Sequence, residues 1–299
     1  MDQLHLMQAF VTVADERGFA AAARRLNLSP PAVTRAIAML EARLGVKLLN
    51  RSTRHVRVTE AGQRYLEDVR RILQEVALAN EAVVGINAEP RGKLAVTAPI
   101  LFGQQYVMPG IVDYLRRFPE TQVEAVFLDR VVNLLEEGLD VGIRIGKLPD
   151  SSLNAVLVGT VRQMLVAAPD YLAREGLPTC PDDLAGHTLI ASSAGSMGHD
   201  WHLASQNGPV NVRIQPRLMV TTLQAAINAA VAGLGITRVI SYQVTEQLDN
   251  ASLATVLESF QPPPMPVHIV YREGRMASAK VRCFVDLMSQ YLRNHPALC

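Results

Sequence analysis

Phe19-Ala20-Ala21-Ala22-Ala23-Arg24-Arg25-Leu26-Asn27-Leu28-Ser29-Pro30-Pro31-Ala32-Val33-Thr34-Arg35 is the stretch on which the reading of this chain turns. Phe19, Ala22, Ala23 and Leu26 stand at i, i+3, i+4 and i+7, one face of a short helix. Leu26-Asn27-Leu28 leaves room only for a tight turn. Ser29 suits an N-cap, and Pro30 suits the first helical position, where no N–H is needed. Val33, Ile37, Leu40 and Leu44 form the buried face of the next helix, which Gly45 stops. The small side chains at 20–23 let these two helices cross closely. Upstream, Leu6, Phe10 and Val13 mark one more helix, broken at Gly18. Three helices with a short turn between the last two match the helix-turn-helix.

In that motif the N-terminal part of the second motif helix enters the major groove. Its outward first turn here is Pro30, Pro31 and Ala32, and its polar face continues through Thr34, Arg35 and Ala38. Arg35 either reads a guanine or clamps a phosphate, and Thr34 reaches either. In Lys47–Thr59, Val56 and Val58 alternate with His55 and Arg57, which reads as a strand. Ser52-Thr53 is a turn, so the segment makes a small β-wing with Arg51, Thr53 and Arg54 at its tip. Such a wing lies along phosphates or an adjacent minor groove. Charge supports a polyanion at this end only. Residues 1–58 hold nine Lys/Arg against four Asp/Glu, a net +5, and the remainder holds 20 against 24, a net −4. The competing reading is a surface three-helix unit with ordinary solvated arginines.

The chain has 299 residues, 49% apolar and 19% charged, the composition of a globular protein with room for two or three domains. Cys180, Cys283 and Cys299 are scattered and odd in number, so neither a disulfide framework nor a CxxC metal pair is expected, and a reducing, cytoplasmic setting fits. No secretory leader and no membrane span is read from the sequence. Thr59 caps a long helix in which Leu66, Val69, Leu73, Val76, Asn80 and Val83 recur at spacings of 3 and 4, an a/d seam. The seam either pairs two subunits, with Asn80 fixing register, or packs on the chain's own core. Glu89-Pro90-Arg91-Gly92 ends the helix and reads as a linker.

Beyond it, strands and helices alternate, an α/β pattern long enough for two lobes. Strands are expected at Lys93–Ala98, Val123–Leu128, Val141–Ile145, Ala155–Val161, Gln163–Ala168, Thr188–Ala191, Arg217–Val220, Ile236–Val239 and Val267–Tyr271. Helices are expected at Gln104–Phe118, Val131–Glu137, Thr222–Ala232 and Lys280–Leu292, with the hinge crossings near 160–163 and 264–268. Ligands of open α/β sheets bind beyond the carboxyl ends of strands, often against helix N-termini. That rule selects Ala98, Pro99, Ile100 and Phe102, then Asp129 and Arg130, then Ile145 and Gly146 in one lobe. In the other it selects Ser192, Ser193, Thr221 and Thr222. Thr222 either meets an anion or caps its own helix, and Arg130 either meets a ligand or pairs with an acidic neighbour.

Phe10-Val11-Thr12-Val13-Ala14, Ala22-Ala23-Arg24-Arg25-Leu26, Ser29-Pro30-Pro31-Ala32-Val33-Thr34-Arg35, Leu44-Gly45-Val46-Lys47-Leu48-Leu49 and Thr59-Glu60-Ala61-Gly62 together resemble the LysR-type transcriptional regulators. Further on, Thr97-Ala98-Pro99, Asp140-Val141-Gly142-Ile143-Arg144-Ile145-Gly146 and Ala232-Gly233-Leu234-Gly235-Ile236 are similar to that family's effector domain. The resemblance implies an all-α winged helix-turn-helix over 1–58 and a linker helix pairing two subunits over 59–89. It also implies an α/β effector domain over 90–299, two-lobed and periplasmic-binding-protein-like, with lobe one at 90–161 and 266–299 and lobe two at 162–265. Its partners would be double-stranded operator DNA, a small-molecule effector, a second copy as homodimer or homotetramer, and RNA polymerase. Two departures stand out. Many members carry Gln where Pro30 stands, and Ser or Thr where Pro99 stands, so one hydroxyl contact to an effector carboxylate is missing.

No enzyme, metal site or cofactor is expected. Ala194-Gly195-Ser196-Met197-Gly198 lacks the first glycine of a nucleophile elbow. His199 and His202 have no third good ligand. Gly233-Leu234-Gly235 is followed by Arg238 where a dinucleotide fingerprint needs glycine. The rival function is a solute-binding protein with an unrelated N-terminal extension, against which the basic head and the missing leader argue.

Overall fold

The computed structural model describes residues 2–51, 56–84, 89–148, 153–194, 199–205, 208–272 and 278–298, with backbone alone at Arg51, 74–75 and 77–84. The chain divides into two units, Met1–Ala88 and Glu89–Cys299.

The first unit contains α1 (Gln3–Glu16), α2 (Phe19–Arg25), α3 (Pro30–Leu44), the antiparallel pair β1 (Leu49–Arg51) and β2 (Val56–Val58), and α4 (Glu60–Val84). Leu6, Phe10, Ala22, Ala23, Val33, Ile37 and Leu40 form its core. Ala22 and Ala23 are buried where α2 meets α1 and α3, which is why the run of alanines is there. Ser29 Oγ accepts the Ala32 N–H at the start of α3, and Gly45 ends it at φ 69°, a conformation glycine adopts without steric cost. Leu44 is exposed rather than buried, because the chain reverses beside it at Gly45.

A buried carboxylate ties the strand pair to α3. Glu41 accepts the N–H groups of Leu48 (2.9 Å) and Leu49 (3.1 Å), and Lys47 Nζ lies 2.8 Å away. Burial alone would raise its pKa, but the Lys47 contact and the two backbone donors outweigh that and lower it. Thr59 Oγ1 donates to the Lys47 carbonyl and accepts the Gly62 N–H at 2.9 Å, capping α4. A Cβ on Gly62 would lie 2.2 Å from the Leu48 carbonyl oxygen, so glycine lets α4 start directly beneath the strand.

Leu66 and Val69, expected on a seam between subunits, are buried within this chain instead, because the first turns of α4 lie against α1. The Tyr65 ring sits 5.7 Å from Phe10, and Arg70 pairs with Asp15. Leu73 and Val76 are half-buried, and the side chains of Asn80 and Val83 lie outside the described residues.

The second unit holds two five-stranded sheets. The first runs β4 (Thr121–Phe127), β3 (Gly92–Ala98), β5 (Val141–Ile145), β14 (Met265–Tyr271), β6 (Asn154–Val161). Strands β3, β4 and β5 are parallel, and β14 is antiparallel to both its neighbours. The second sheet runs β11 (Leu218–Val220), β8 (Leu189–Ser192), β12 (Ile236–Ile240), β7 (Gln163–Ala167), β13 (Ala254–Val256), with β8 parallel to β11 and β12 and β7 antiparallel to its neighbours. The chain passes from the first sheet to the second at Arg162 and returns between β13 and β14. Ser241 clasps the first crossing: its N–H donates to the Arg162 carbonyl and its Oγ accepts the Arg162 N–H. A continuous apolar core joins the sheets, and Tyr106 Oη donates across to the Tyr242 carbonyl at 3.0 Å.

Helices flank the sheets: α5 (Ile100–Phe102) runs through a π turn at Gly103–Val107 into α6 (Met108–Arg117), followed by α7 (Pro169–Glu175), α8 (Leu223–Val231), α9 (Thr245–Asp249) and α10 (Ala279–Arg293). The helix expected over Val131–Glu137 is a single turn. Asn133 Oδ1 accepts the Leu135 N–H, a local bond that competes with helix propagation, and Gly138 closes the turn at φ 66°. The sequence reading also passed over α7, β13 and a hairpin of β9 (Asp200–Ser205) and β10 (Gly208–Arg213). Among the described residues, no helix is long and apolar enough to cross a membrane.

Candidate functional site

On α3, Pro31, Thr34, Arg35 and Ala38 share the face opposite Val33, Ile37 and Leu40, at the spacing of one helical stripe. Pro30, Pro31 and Arg35 are exposed, and Ala32 and Thr34 are half-buried. Other cations of this unit are held by neighbours: Arg25 by Glu16, Lys47 by Glu41, Arg43 by Gln3. Arg35 makes no ion pair or side-chain hydrogen bond among the described residues, so its guanidinium keeps all its donors. Arg24, next to the motif turn, is exposed and unpaired in the same sense, a cation the sequence reading did not select. Arg51 lies in β1, while Thr53 and Arg54 fall outside the described residues.

Between the two sheets of the second unit lies a cleft of about 670 Å³. Pro99, Asp129, Arg130, Ile145 and Ser193 line it, as the strand-end rule selects. The other selected residues support its walls or stand aside. Ala98 and Phe102 are buried in the core, and the Phe102 ring packs on Tyr106 and Tyr242. Ile100 donates its N–H to Asp129 Oδ1 at 3.0 Å. Gly146 turns the chain at φ 103°. Ser192 Oγ accepts the Ala194 N–H. Thr221 is exposed, and Thr222 caps α8 by accepting the Ala225 N–H. Arg130 is bound to Glu137 by two bonds of 2.7 and 3.0 Å, which raise its pKa. Of its two sequence readings, the acidic neighbour describes this structure.

The charged chemistry of the cleft comes mainly from residues the sequence reading did not select. Arg144, on β5, donates to the carbonyls of Ile143 and Val132, and burial lowers its pKa. Arg238, at the middle of β12, is 6% exposed. Its guanidinium donates to the Asp200 carbonyl (3.1 Å) and stacks over Trp201, and burial lowers its pKa to about 10. Among the described residues its Nε–H has no acceptor, and neither has the buried Nε2 amide of Gln163 on the adjacent strand β7. No carboxylate pairs with Arg144 or Arg238 among the described residues. His202 is held by Asn211 at 2.6 Å across the β9–β10 hairpin, and no group of three metal-ligating side chains occurs among the described residues. The nucleophile-elbow decoy at 195–198 lies outside the described residues.

Two family models match the chain: "Bacterial regulatory helix-turn-helix protein, lysR family" over residues 4–63 and "LysR substrate binding domain" over residues 87–293. An HTH-type transcriptional repressor of Pseudomonas aeruginosa is 32% identical, across 100% of this chain and 95% of its own. The HTH-type transcriptional regulator DmlR of Escherichia coli is also 32% identical, across 98% and 95%. Among solved structures, the full-length Vibrio cholerae virulence activator AphB aligns with a TM-score of 0.64 at 27% identity, covering 97% of this chain and 99% of that one. CrgA of Neisseria meningitidis aligns with a TM-score of 0.62 at 28% identity, with the same coverage.

Proposed function

This chain belongs to the LysR-type transcriptional regulators, and on that premise we propose that it binds operator DNA as a homodimer and answers to a small molecule held between the two sheets of its effector domain. The family gives it DNA binding and an effector-binding domain. The observation that carries the rest is the face of α3, where Pro31 and Arg35 are exposed beside a half-buried Thr34 and Arg35 has no ion-pair partner among the described residues. Pro30, Pro31 and Ala32 enter the major groove, and Arg35 and Thr34 read bases there. Arg51, Thr53 and Arg54 grip the flanking backbone. Two heads reading one near-palindrome need a dimer, and the stripe of α4 beyond Val69, through Leu73, Val76, Asn80 and Val83, supplies its seam. The cleft is of the size that takes small organic ligands. Ala98, Pro99, Ile100, Phe102, Asp129, Arg130, Ile145 and Gly146 from one lobe, with Ser192, Ser193, Thr221 and Thr222 from the other, form or support that site. Assembly into tetramers, contact with RNA polymerase and a cytoplasmic setting belong to the same proposal, with family resemblance as their support.

The experiment is enrichment of genomic fragments by the full chain at near-physiological salt. A few promoter sites sharing an interrupted palindrome support the reading. Uniform weak binding that disappears with added salt would reduce the head to an electrostatic patch.

A further inference from the structure

We propose that the effector domain carries a second ligand site, a pocket between the short helical turn Pro181–Gly186 and the end of β10, built for an apolar organic anion held by Arg213 and the ring N–H of His187. The pocket encloses about 540 Å³, within the range of small-ligand sites, and shares no lining residue with the cleft between the sheets. Its floor is apolar: Leu184, Leu189 and Ile214 line it and belong to the cluster around Trp201. Its polar groups stand higher on the wall, where Arg213 and Gln215 are exposed and His187 is half-buried.

His187 is a donor of fixed direction. Tyr171 Oη accepts the Thr188 N–H at 2.9 Å and, with no other acceptor among the described residues, gives its single hydrogen to His187 Nδ1 at 3.0 Å. The ring proton of His187 is therefore on Nε2, set by the bond at the other nitrogen. Nε2 has no partner among the described residues and is not among the buried unsatisfied atoms, so its N–H is open to a ligand. A protonated Nε2 cannot ligate a metal, which makes this a place for a hydrogen-bond acceptor. Arg213 supplies the charge. It makes no ion pair or side-chain hydrogen bond among the described residues, although Asp200 faces it directly in the β9–β10 register. Asp182 is the one acid of the lining; it is exposed at the rim, where water and salt screen it, and it does not pair with Arg213. A guanidinium, an imidazole N–H and an amide above an apolar floor suit a ligand with an anionic head and an apolar body.

The test is calorimetric titration of the full chain with octanoate and benzenesulfonate at millimolar concentration, beside octanol, benzenesulfonamide and inorganic phosphate. The same titrations are run on Ser193→Phe, which fills the cleft, and on Ala185→Phe, which fills the pocket. At least one of the two anions is expected to bind the parent and Ser193→Phe chains and not Ala185→Phe. Its affinity should fall at least about tenfold in Arg213→Gln, the loss of one charge-assisted bond. Imidazole nitrogen NMR should show His187 protonated on Nε2 in the free chain, with that N–H shifting when the anion binds. Binding lost in Ser193→Phe, or kept in Ala185→Phe, overturns the proposal, as does the absence of binding by either anion. A neutral counterpart as effective as its anion, or an unchanged titration in Arg213→Gln, overturns the anionic head. Phosphate binding as tight as that of the organic anions would leave only a surface cation, and a His187 protonated on Nδ1 removes it as the donor.

Discussion

Glu41→Ala should loosen the strand pair without touching the effector domain. The carboxylate accepts two backbone N–H groups, from Leu48 and Leu49, both of which are buried. Hydrogen bonds to a charged acceptor contribute about 1.5–3 kcal/mol each, and each donor left unsatisfied costs about 1–3 kcal/mol. The substitution is therefore expected to cost roughly 3 kcal/mol, and Glu41→Gln, which keeps a neutral acceptor, roughly 1 kcal/mol. Lys47 also touches the carboxylate, but its side chain is 76% exposed, so Lys47→Ala should cost well under ~1 kcal/mol. The assay is amide exchange of residues 45–50 in the full chain, with fluorescence of the single tryptophan, Trp201, reporting the other unit. Equal damage from Lys47→Ala and Glu41→Ala, or unchanged protection of the Leu48 and Leu49 amides in Glu41→Ala, would refute the ranking. The same carboxylate sets a pH response. Its folded pKa lies below the ordinary 4.5, so its stabilisation is complete above that value and is lost as pH falls through the folded one. Protection factors in this segment should fall on acidification below about pH 4.5 in the parent chain, and should not show that fall in Glu41→Gln.

Arg35→Ala is expected to weaken operator binding by about 1–3 kcal/mol with little change on scrambled DNA, measured by titration at fixed salt; equal loss on both would make Arg35 a phosphate contact. Gly62→Ala places a methyl 2.2 Å from a carbonyl oxygen, and should lower the melting temperature of the first unit by an amount equivalent to about 3 kcal/mol or more. Asn80→Leu should leave dimers intact or create larger assemblies in sedimentation, because an apolar residue at a polar seam position relaxes register rather than pairing. Monomers from that variant would place the seam elsewhere.

The first sixty residues were legible because their signals are local. Ser29, Pro30 and Gly45 act on their own backbone, and the period of Val33, Ile37 and Leu40 is set by one helix. The α4 stripe was legible as a stripe, but its partner was not. Leu66 and Val69 carry the same spacing as Leu73 and Val76, and nothing within the repeat says that α1 covers the first pair. The missed β9–β10 hairpin has a similar cause. Trp201 and Leu203 alternate with exposed residues, as a half-buried strand should, and Asn207-Gly208 before Val210 and Val212 is a hairpin signal that the sequence reading passed over because both runs are short.

The effector cleft was half legible, for a reason that bears on its chemistry. The strand-end rule finds residues that reach a ligand from loops, and it selected Pro99, Asp129 and Ser193. Arg144 and Arg238 sit inside strands, where a charged residue among Ile143, Ile145, Val239 and Ile240 reads as an interruption of the core. Arg238 shares its face of β12 with Ile236 and, through the register, with Leu165 of β7, both in the apolar cluster around Trp201, and the Asp200 carbonyl and the Trp201 ring hold its guanidinium there. The signal in the sequence was the arginine within Gly235-Ile236-Thr237-Arg238-Val239-Ile240, a charge in an apolar strand that the structure accounts for by the Asp200 carbonyl and the Trp201 ring.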